Sequence, residues 1–543
     1  MEDEKDLLTE WRELLPGQRD SAFTALCSQY SFSTLMKNGA RFHPNTEQLP
    51  MEGLSFIRRK PRKVHTIGIY YIWLKPGGVQ RVMLFMAELY IRMGYRVVII
   101  TDQEKSETDY PLPDNIQRIV LDVDSGSSFA DRVAQRADRW ERVIRENGID
   151  LIDYNAWTSS YSFWDFTAIK YYGAGVVLHT HSISVYGMRE NLMIPVQVLN
   201  AARLADAVVV LSRMDVQYYK RANRNVYWIP NPHGKMASEY SAATRTGNRV
   251  VWCGRLSPEK DPISAVKAFS LVREAIPEAH MTLVGGSNSG DWYTKIVEQE
   301  IERLNLKESI TMTGMVHDVE QYYGQADVLI CTSEYEGFCL TLMEAAEFSL
   351  PIITFDMPYL EILRRVPDII RVPQKDVKAL AGKIVEVLLD GEKRTRLGSS
   401  IRGQMAEIRE MNLTDQWQTV LKSIEEGTEK TEHDLMDTES SEMLINTMLL
   451  QYAEGAAFKE RQVSAMEQSR QETEKELERK NRETGQLSRQ MKELEAQQET
   501  LRQESRYWEE KARLTENSLS YRVGRIVTGP LRVLRGALKT GGD

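Results

Sequence analysis

Short, unbroken runs of Val, Ile and Leu, each closed by glycine and followed by an amphipathic stretch, recur in two successive series along this chain. His65–Tyr71 leads into Pro76-Gly77-Gly78, and a helical spacing follows on Val82, Met83, Phe85, Met86, Leu89 and Met93. Gly94 ends that helix and Tyr95–Thr101 begins a second apolar run. Runs that do not alternate suit strands buried on both faces, as in a parallel sheet covered by helices. Ile116–Leu121 (interrupted by Gln117 and Arg118), Gly175–His179, Ala207–Leu211 and Asn225–Ile229 continue the series. The pattern restarts at Asn248–Cys253, passes through a helix at Pro262–Ile276, and continues in Met281–Val284, Ile310–Thr313, Val328–Cys331 and Pro351–Thr354. The expectation is an α/β chain with two facing, Rossmann-like, doubly wound domains. Ligands of such sheets bind outside the carboxyl ends of the strands, so the chemistry belongs in the cleft between the domains.

The flanks differ in kind. Residues 1–62 read as a helical extension, with Leu7, Leu8, Trp11, Leu14 and Leu15 at helical spacing and Pro16-Gly17 expected to stop the helix. A basic run from Arg58 to Lys63 marks its end. The two domains then occupy 63–245 and 246–410, with crossing helices and a linker over 411–456. Over 457–516 Glu, Gln, Lys and Arg dominate, and Leu487, Leu494, Leu501 and Trp508 fall seven apart with Met491 beside them. This weak heptad seam predicts a coiled coil and through it a homodimer; a solvated single helix is the competing reading. Residues 517–543 carry five cations and no acid before Asp543, interleaved with Val523, Ile526, Leu531 and Leu534. Such a segment suits an anionic membrane surface, against the alternative of a solvated basic tail.

The net charge of −9 argues against nucleic acid as a partner. The four cysteines, Cys27, Cys253, Cys331 and Cys339, show no zinc-ligand spacing and are expected as free thiols in a reducing compartment, so no metal is expected. The acidic N-terminus and the lack of any apolar run of about 20 residues predict a cytoplasmic protein, with membrane contact at most peripheral.

Four pieces carry chemistry. Gly77-Gly78, between strand and helix, allows close backbone approach to a phosphate at a helix start. Arg255 and Lys260, five residues apart after a strand, can hold the diphosphate on which negative charge grows as a glycosyl bond breaks. Glu336 and Glu344 bracket a Gly-containing turn; if a helix begins there, the N–H groups of Phe338, Cys339 and Leu340 form an anion-binding start and both acids face one ligand. His179 and His181 stand at the carboxyl end of a strand. Each alone has an ordinary reading as a core or surface residue, and their convergence in one cleft is the stronger argument.

These pieces, in this order, resemble the family 4 (group 1) glycosyltransferases of GT-B fold, over roughly residues 64–425. The match is carried by Ser333-Glu334-Tyr335-Glu336-Gly337-Phe338 through Glu344-Ala345, with Gly254-Arg255-Leu256, Lys260-Asp261, Gly77-Gly78-Val79-Gln80-Arg81, Ala205-Asp206 and Ile229-Pro230-Asn231. The resemblance implies a nucleotide-diphosphate sugar as donor, a glycan or lipid-linked acceptor, retention of configuration and no cofactor. It implies that the first domain faces the acceptor and the second binds the donor; the basic tail and the coil would be explained by a lipid-linked or polymeric glycan at the inner face of a membrane, which would place the chain in bacterial surface-polysaccharide synthesis. Glu336 would contact the donor sugar, Glu344 the ribose, Arg255, Lys260 and Gly78 the diphosphate, and His181 the sugar site. Three departures stand out: Cys339 and Ser349 where the family usually has glycine, and Asp356-Met-Pro-Tyr-Leu-Glu361 without its usual glycine. A non-catalytic nucleotide-sugar-binding scaffold and a sugar-nucleotide epimerase are the alternatives; four charged site residues argue against the first, and the long coil and tail against the second.

Overall fold

The computed structural model describes the chain except residues 1–5, 9–13, 15, 44–50, 52–53, 191–192, 233–246, 288–291, 317, 432–436, 519, 521, 525 and 527–543, and the side chains of 190, 458, 461–466, 468–469 and 471–472. It divides into a large unit, residues 1–455, and a second, residues 456–543.

The large unit contains two all-parallel sheets. The first is ordered β3-β2-β1-β4-β5-β6-β7, with β1 Thr66–Tyr71, β2 Arg96–Thr101, β3 Gln117–Val120, β4 Leu151–Tyr154, β5 Gly175–His179, β6 Ala207–Val210 and β7 Val226–Trp228. The second is ordered β10-β9-β8-β11-β12-β13, with β8 Arg249–Cys253, β9 His280–Val284, β10 Ile310–Met312, β11 Val328–Cys331, β12 Ile352–Phe355 and β13 Ile370–Val372. Strand order reverses between β1 and β4 and again between β8 and β11. Each reversal opens a crevice at the carboxyl ends of the strands. Every inward residue of β1, β2 and β4 is buried, because helices cover both faces.

Two strands lack the apolar run expected of them. β4 reads Leu-Ile-Asp-Tyr, and its Asp153 is fully buried because Tyr90 Oη donates to it at 3.1 Å and His179 Nδ1 lies at 3.3 Å. β13 is only three residues long and carries an arginine. At the N-terminus the structure corrects the sequence expectation: Pro16 opens the Pro16–Gln29 helix instead of stopping one. Proline lacks only an N–H that the first helical turn leaves unbonded anyway, and its φ already suits the helix. Most of the expected helix over Leu7–Leu15 lies outside the described residues. A second helix, Phe32–Phe42, buries Phe32, Leu35 and Met36 against the first domain, with Phe32 stacked on Tyr171 at 3.8 Å.

After the second domain the chain crosses back. The Leu413–Glu426 helix packs Trp417, Val420, Leu421 and Ile424 into the core around β1. A long helix, Thr438–Asn517, follows. Its first turns belong to the large unit and bury Ser440, Leu444, Thr447 and Gln451, a stripe at helical spacing. In the second unit Leu487, Met491, Leu494, Leu501 and Trp508 are each 61–64% exposed, so the expected seam is uncovered in the single chain. Among the described residues no helix is long and apolar enough to cross a membrane. Most of the basic tail lies outside the described residues.

Candidate active site

The loops that leave β1, β8 and β11 meet in the cleft, together with the end of β5. After β11, Thr332 fastens two of them together. Its hydroxyl lies 2.8 Å from the Asp261 carbonyl and 3.0 Å from that of Lys260, and receives the Trp252 indole N–H at 2.9 Å. That bolt brings Lys260 Nζ to 2.5 Å from Glu336 Oε1, which also accepts from Ser333 Oγ at 2.7 Å. The Glu336 N–H donates to Tyr359 Oη at 3.3 Å. Burial opposes the Lys260 charge, but the Glu336 carboxylate outweighs it and holds the ammonium above the ordinary lysine value. Asp261, next in the motif, is structural: it stands at φ 45° and caps the Pro262–Ala275 helix through Ser264.

Arg255 takes a different place. It is exposed at the cleft rim and bonded to Glu259 at 2.9 Å, not drawn into the Glu336–Lys260 pair. A bound diphosphate would have to draw it inward.

The turn after Glu336 is shaped by close contact with the other domain. A Cβ on Gly337 would lie 2.7 Å from both the His181 carbonyl oxygen and Ser182 Cα. His181 Nε2 lies 2.7 Å from Asn155 Oδ1. An amide oxygen only accepts, so Nε2 carries the proton and Nδ1 is left as a buried lone pair with no partner. Burial, reinforced by His179, pushes the His181 pKa well below the usual imidazole value, so the ring is neutral at pH 7. His179, expected beside it among the substrate-binding groups, is 2% exposed, held by Asp153 and packed on Trp417 at 5.3 Å; it positions His181, with ring centroids 4.6 Å apart.

Two helix starts face one another. The Gly78–Arg92 helix begins at Gly77 and the Leu340–Glu347 helix at Cys339, neither with a side-chain cap. A Cβ on Gly78 would sit 4.0 Å from Leu340 Cδ1. The Gly77 N–H is taken by the Tyr110 hydroxyl, which leaves the starts of the two helices at Gly78 and at Cys339-Leu340 as places suited to a phosphate. Cys339 has φ 63° and Ser349 φ 51°, the left-handed region. These are the two positions where the family pattern has glycine, so the chain keeps the backbone and accepts the strain.

Glu344 is 3% exposed and bonded at both of its oxygens. Its Oε1 is paired with Arg81 of the first domain, and its Oε2 accepts from Tyr323 Oη at 2.9 Å. Arg81 belongs to the motif quoted above but was given no role by it; the partner lies 263 positions away in sequence. Asp206, another motif residue, is structural, bonded to Lys170 Nζ at 2.7 Å and the Val176 N–H at 2.8 Å. Among the described residues one cluster has metal-ligand chemistry: Cys331, Cys339 and Glu336, with ligand atoms within 4.8 Å of one another. A cation there would have to displace the Lys260 ammonium from Glu336.

Two facing Rossmann-like domains, with helix starts and a lysine–glutamate pair at their cleft, suit a phosphate-bearing ligand. The comparisons name the family. Residues 239–404 match the model of glycosyl transferases group 1, and residues 76–233 match that of glycosyltransferase family 4. The chain belongs to these glycosyltransferases, which use nucleotide-sugar donors.

It is 38% identical over 111 residues to the poly(glycerol-phosphate) alpha-glucosyltransferase of Bacillus subtilis, covering 20% of this chain and 16% of that protein. It is 22% identical over 361 residues to an undecaprenol-linked-glycan alpha-1,4-N-acetyl-D-galactosaminyltransferase of Campylobacter jejuni, covering 65% of this chain and 96% of that one. Among solved structures, TarM of Staphylococcus aureus, in complex with UDP, superposes with a TM-score of 0.57 at 13% identity over 66% of this chain and all of that one. HepE of Anabaena, in complex with UDP and glucose, gives 0.55 at 19% identity over 66% of this chain and 99% of that one. These two confirm the two-domain fold.

Proposed function

We propose that this protein transfers a hexose from a nucleotide-diphosphate sugar to a glycan or lipid-linked acceptor, with retention of configuration, in assembly of a bacterial surface polysaccharide. The observation that carries the reading is the buried Glu336–Lys260 pair, set beside His181 and between two uncapped helix starts. In this reading the diphosphate sits against the helix starts and is neutralised by Lys260 and an inward-swung Arg255. Glu344, paired with Arg81, takes the ribose hydroxyls. Glu336 accepts from a sugar hydroxyl, and the neutral His181 ring lines the sugar site. The bond from the anomeric carbon to the phosphate oxygen breaks, and that oxygen takes the proton of the incoming acceptor hydroxyl on the same face. The glycosidic bond therefore forms with the original configuration, and neither Glu336 nor a metal acts as nucleophile or Lewis acid. The exposed seam of the long helix would pair two copies, and the basic tail would hold the enzyme at an anionic membrane.

The test is release of nucleotide diphosphate from a panel of UDP-, GDP- and dTDP-sugars, with and without EDTA. Release from one donor, unaffected by EDTA and lost in Glu336→Ala, is expected. Full activity in both Glu336→Ala and Arg255→Ala would overturn the assignment.

A further inference from the structure

Glu336 lies between two cysteine side chains to which the transferase reading gives no role. Cys331 ends β11, and Cys339 precedes the Leu340–Glu347 helix. Both thiols are buried, and their sulfurs are 4.0 Å apart. Two thiolates on one tetrahedral zinc stand about 3.8 Å apart, whereas a disulfide needs about 2 Å. The two sulfurs and a Glu336 oxygen all lie within 4.8 Å of one another. A single point therefore lies within about 2.8 Å of all three, about half an ångström beyond the zinc–sulfur length of about 2.3 Å.

Two further observations point to a cation here. Lys260 Nζ lies 2.5 Å from Glu336 Oε1, and its charge also interacts with Cys339 and Cys331. A positive charge is thus already held among these three groups. Cys339 stands at φ 63°, where glycine would be unstrained, and the chain keeps a thiol there at that cost. The other partners of the sulfurs are weak: Ser333 Oγ at 3.5 Å from Cys331 and Thr341 Oγ1 at 3.2 Å from Cys339. A metal–thiolate bond replaces them at little loss. The donor set selects the ion. Two thiolates and one carboxylate suit zinc, or cadmium in its place, and not magnesium or manganese, which take oxygen ligands.

We propose that Cys331, Glu336 and Cys339 form a zinc site, and that zinc bound there switches the donor site off by taking Glu336 from Lys260. Binding releases the two thiol protons to water and frees the Lys260 ammonium, and a water completes the tetrahedron. With Glu336 on the metal and Lys260 unpaired, the donor sugar loses its carboxylate contact and the diphosphate loses a placed cation. The inhibition rests on the transferase reading above; the binding of zinc does not.

The experiment uses the full chain, reduced with a phosphine and freed of metal, and the chlorides of zinc and cadmium against those of magnesium and manganese. Equilibrium dialysis should find tight, stoichiometric zinc, and cadmium should give the ultraviolet absorption of a cadmium–thiolate bond. Magnesium and manganese should do neither. Cys331→Ala and Cys339→Gly, the second of which suits the backbone at φ 63°, should each weaken zinc binding at least about tenfold. Lys260→Ala, which removes the competing ammonium, should tighten it at least about tenfold, an effect that a zinc site elsewhere would not show. With the donor identified by hydrolysis, micromolar zinc should cut wild-type turnover at least about tenfold and EDTA should restore it. Cys331→Ala, compared with its own zinc-free rate, should resist. No zinc bound by wild type, zinc affinity unmoved by both Cys331→Ala and Cys339→Gly, or zinc bound without loss of turnover would overturn the proposal. If no donor is turned over, the transferase reading has failed, and dialysis alone decides the zinc site.

Discussion

Arg81, on the helix after the double-glycine turn of the first domain, forms an ion pair across the cleft with Glu344, on the first helix after β11 in the second. Glu344 is buried and Arg81 is 30% exposed. Burial works against the Arg81 charge, yet its pKa stays above the ordinary arginine value because of the carboxylate. The pair leaves two of the four lone-pair positions of the carboxylate open for ribose hydroxyls. Arg81→Gln removes the charge and leaves Glu344 with Tyr323 alone. A donor KM raised about tenfold, one charge-assisted hydrogen bond, is expected, with kcat within about twofold. Arg81→Lys, which keeps the charge but not the fork, should fall between. A donor KM lowered in Arg81→Gln would mean that the arginine competes with the nucleotide.

Gly337 sets how closely the domains approach. The added Cβ of Gly337→Ala meets backbone atoms of His181 and Ser182 at 2.7 Å, and backbone cannot swing aside as a long side chain can. The clash falls between the two domains and inside neither sheet, so thermal unfolding should change little. The cleft would be wedged apart by a few tenths of an ångström or more, separating His181 from Glu336. Misplacement on this scale costs up to about 100-fold in rate. The expected outcome is kcat/KM down by at least about tenfold in Gly337→Ala with Tm nearly unchanged. Wild-type kinetics would show that the two domains act further apart than this structure has them.

What the sequence made legible, and what it did not, follows from the range of the interactions. Strands announced themselves where both faces are apolar, and failed to at β4, where buried Asp153 is tolerated only because Tyr90 and His179 reach it from distant segments. The glycine turns and the Glu336–Glu344 spacing placed the site on loops after β1, β8 and β11, because those motifs are local. Arg81 with Glu344 and Thr332 across two loops are pairings between segments far apart, for which one sequence holds no signal. Pro16 was misread because proline both ends and begins helices, and which of the two it does depends on the residues after it. The glycine departures were legible but not their meaning: only the positive φ of Cys339 and Ser349 shows that the backbone is retained.

His181 gives a pH signature. Its folded-state pKa lies well below the ordinary value near 6.5, through burial first and His179 second. A depressed pKa means that the folded state refuses a proton the unfolded chain accepts. The associated stability is therefore present above pH 6.5 and is lost as pH falls toward the folded value, by up to about 1.4 kcal/mol per pH unit. In urea unfolding at pH 7.5 and 5.5, wild type should lose about 1 kcal/mol more than His181→Gln. Activity should show no limb between pH 6 and 7 from this residue, since the neutral ring is the working form. Equal losses in the two proteins would place the His181 pKa near its ordinary value.

Gly398 tests whether packing or propensity rules a helix interior. It lies within the Gly391–Arg409 helix, where alanine is intrinsically better than glycine by about 1 kcal/mol. Yet a Cβ at Gly398 would fall 1.9 Å from the Ser349 carbonyl oxygen and 2.7 Å from its carbon. That oxygen belongs to a residue already held at φ 51°, ahead of Leu350 and Pro351 and the buried strand β12, so it has little freedom to retreat. The helix must move instead, and it carries Ile401 and Met405 into the core beside the Leu340–Glu347 helix. Overpacking of this kind costs about 1–3 kcal/mol, more than the propensity gain. Gly398→Ala is therefore expected to lower stability by about 1–2 kcal/mol in chemical denaturation. The same substitution at Gly403, one helical turn and a half further on with nothing within 4 Å of its Cβ, should raise it. A stabilised Gly398→Ala would show that the two helices are not in the close contact described here.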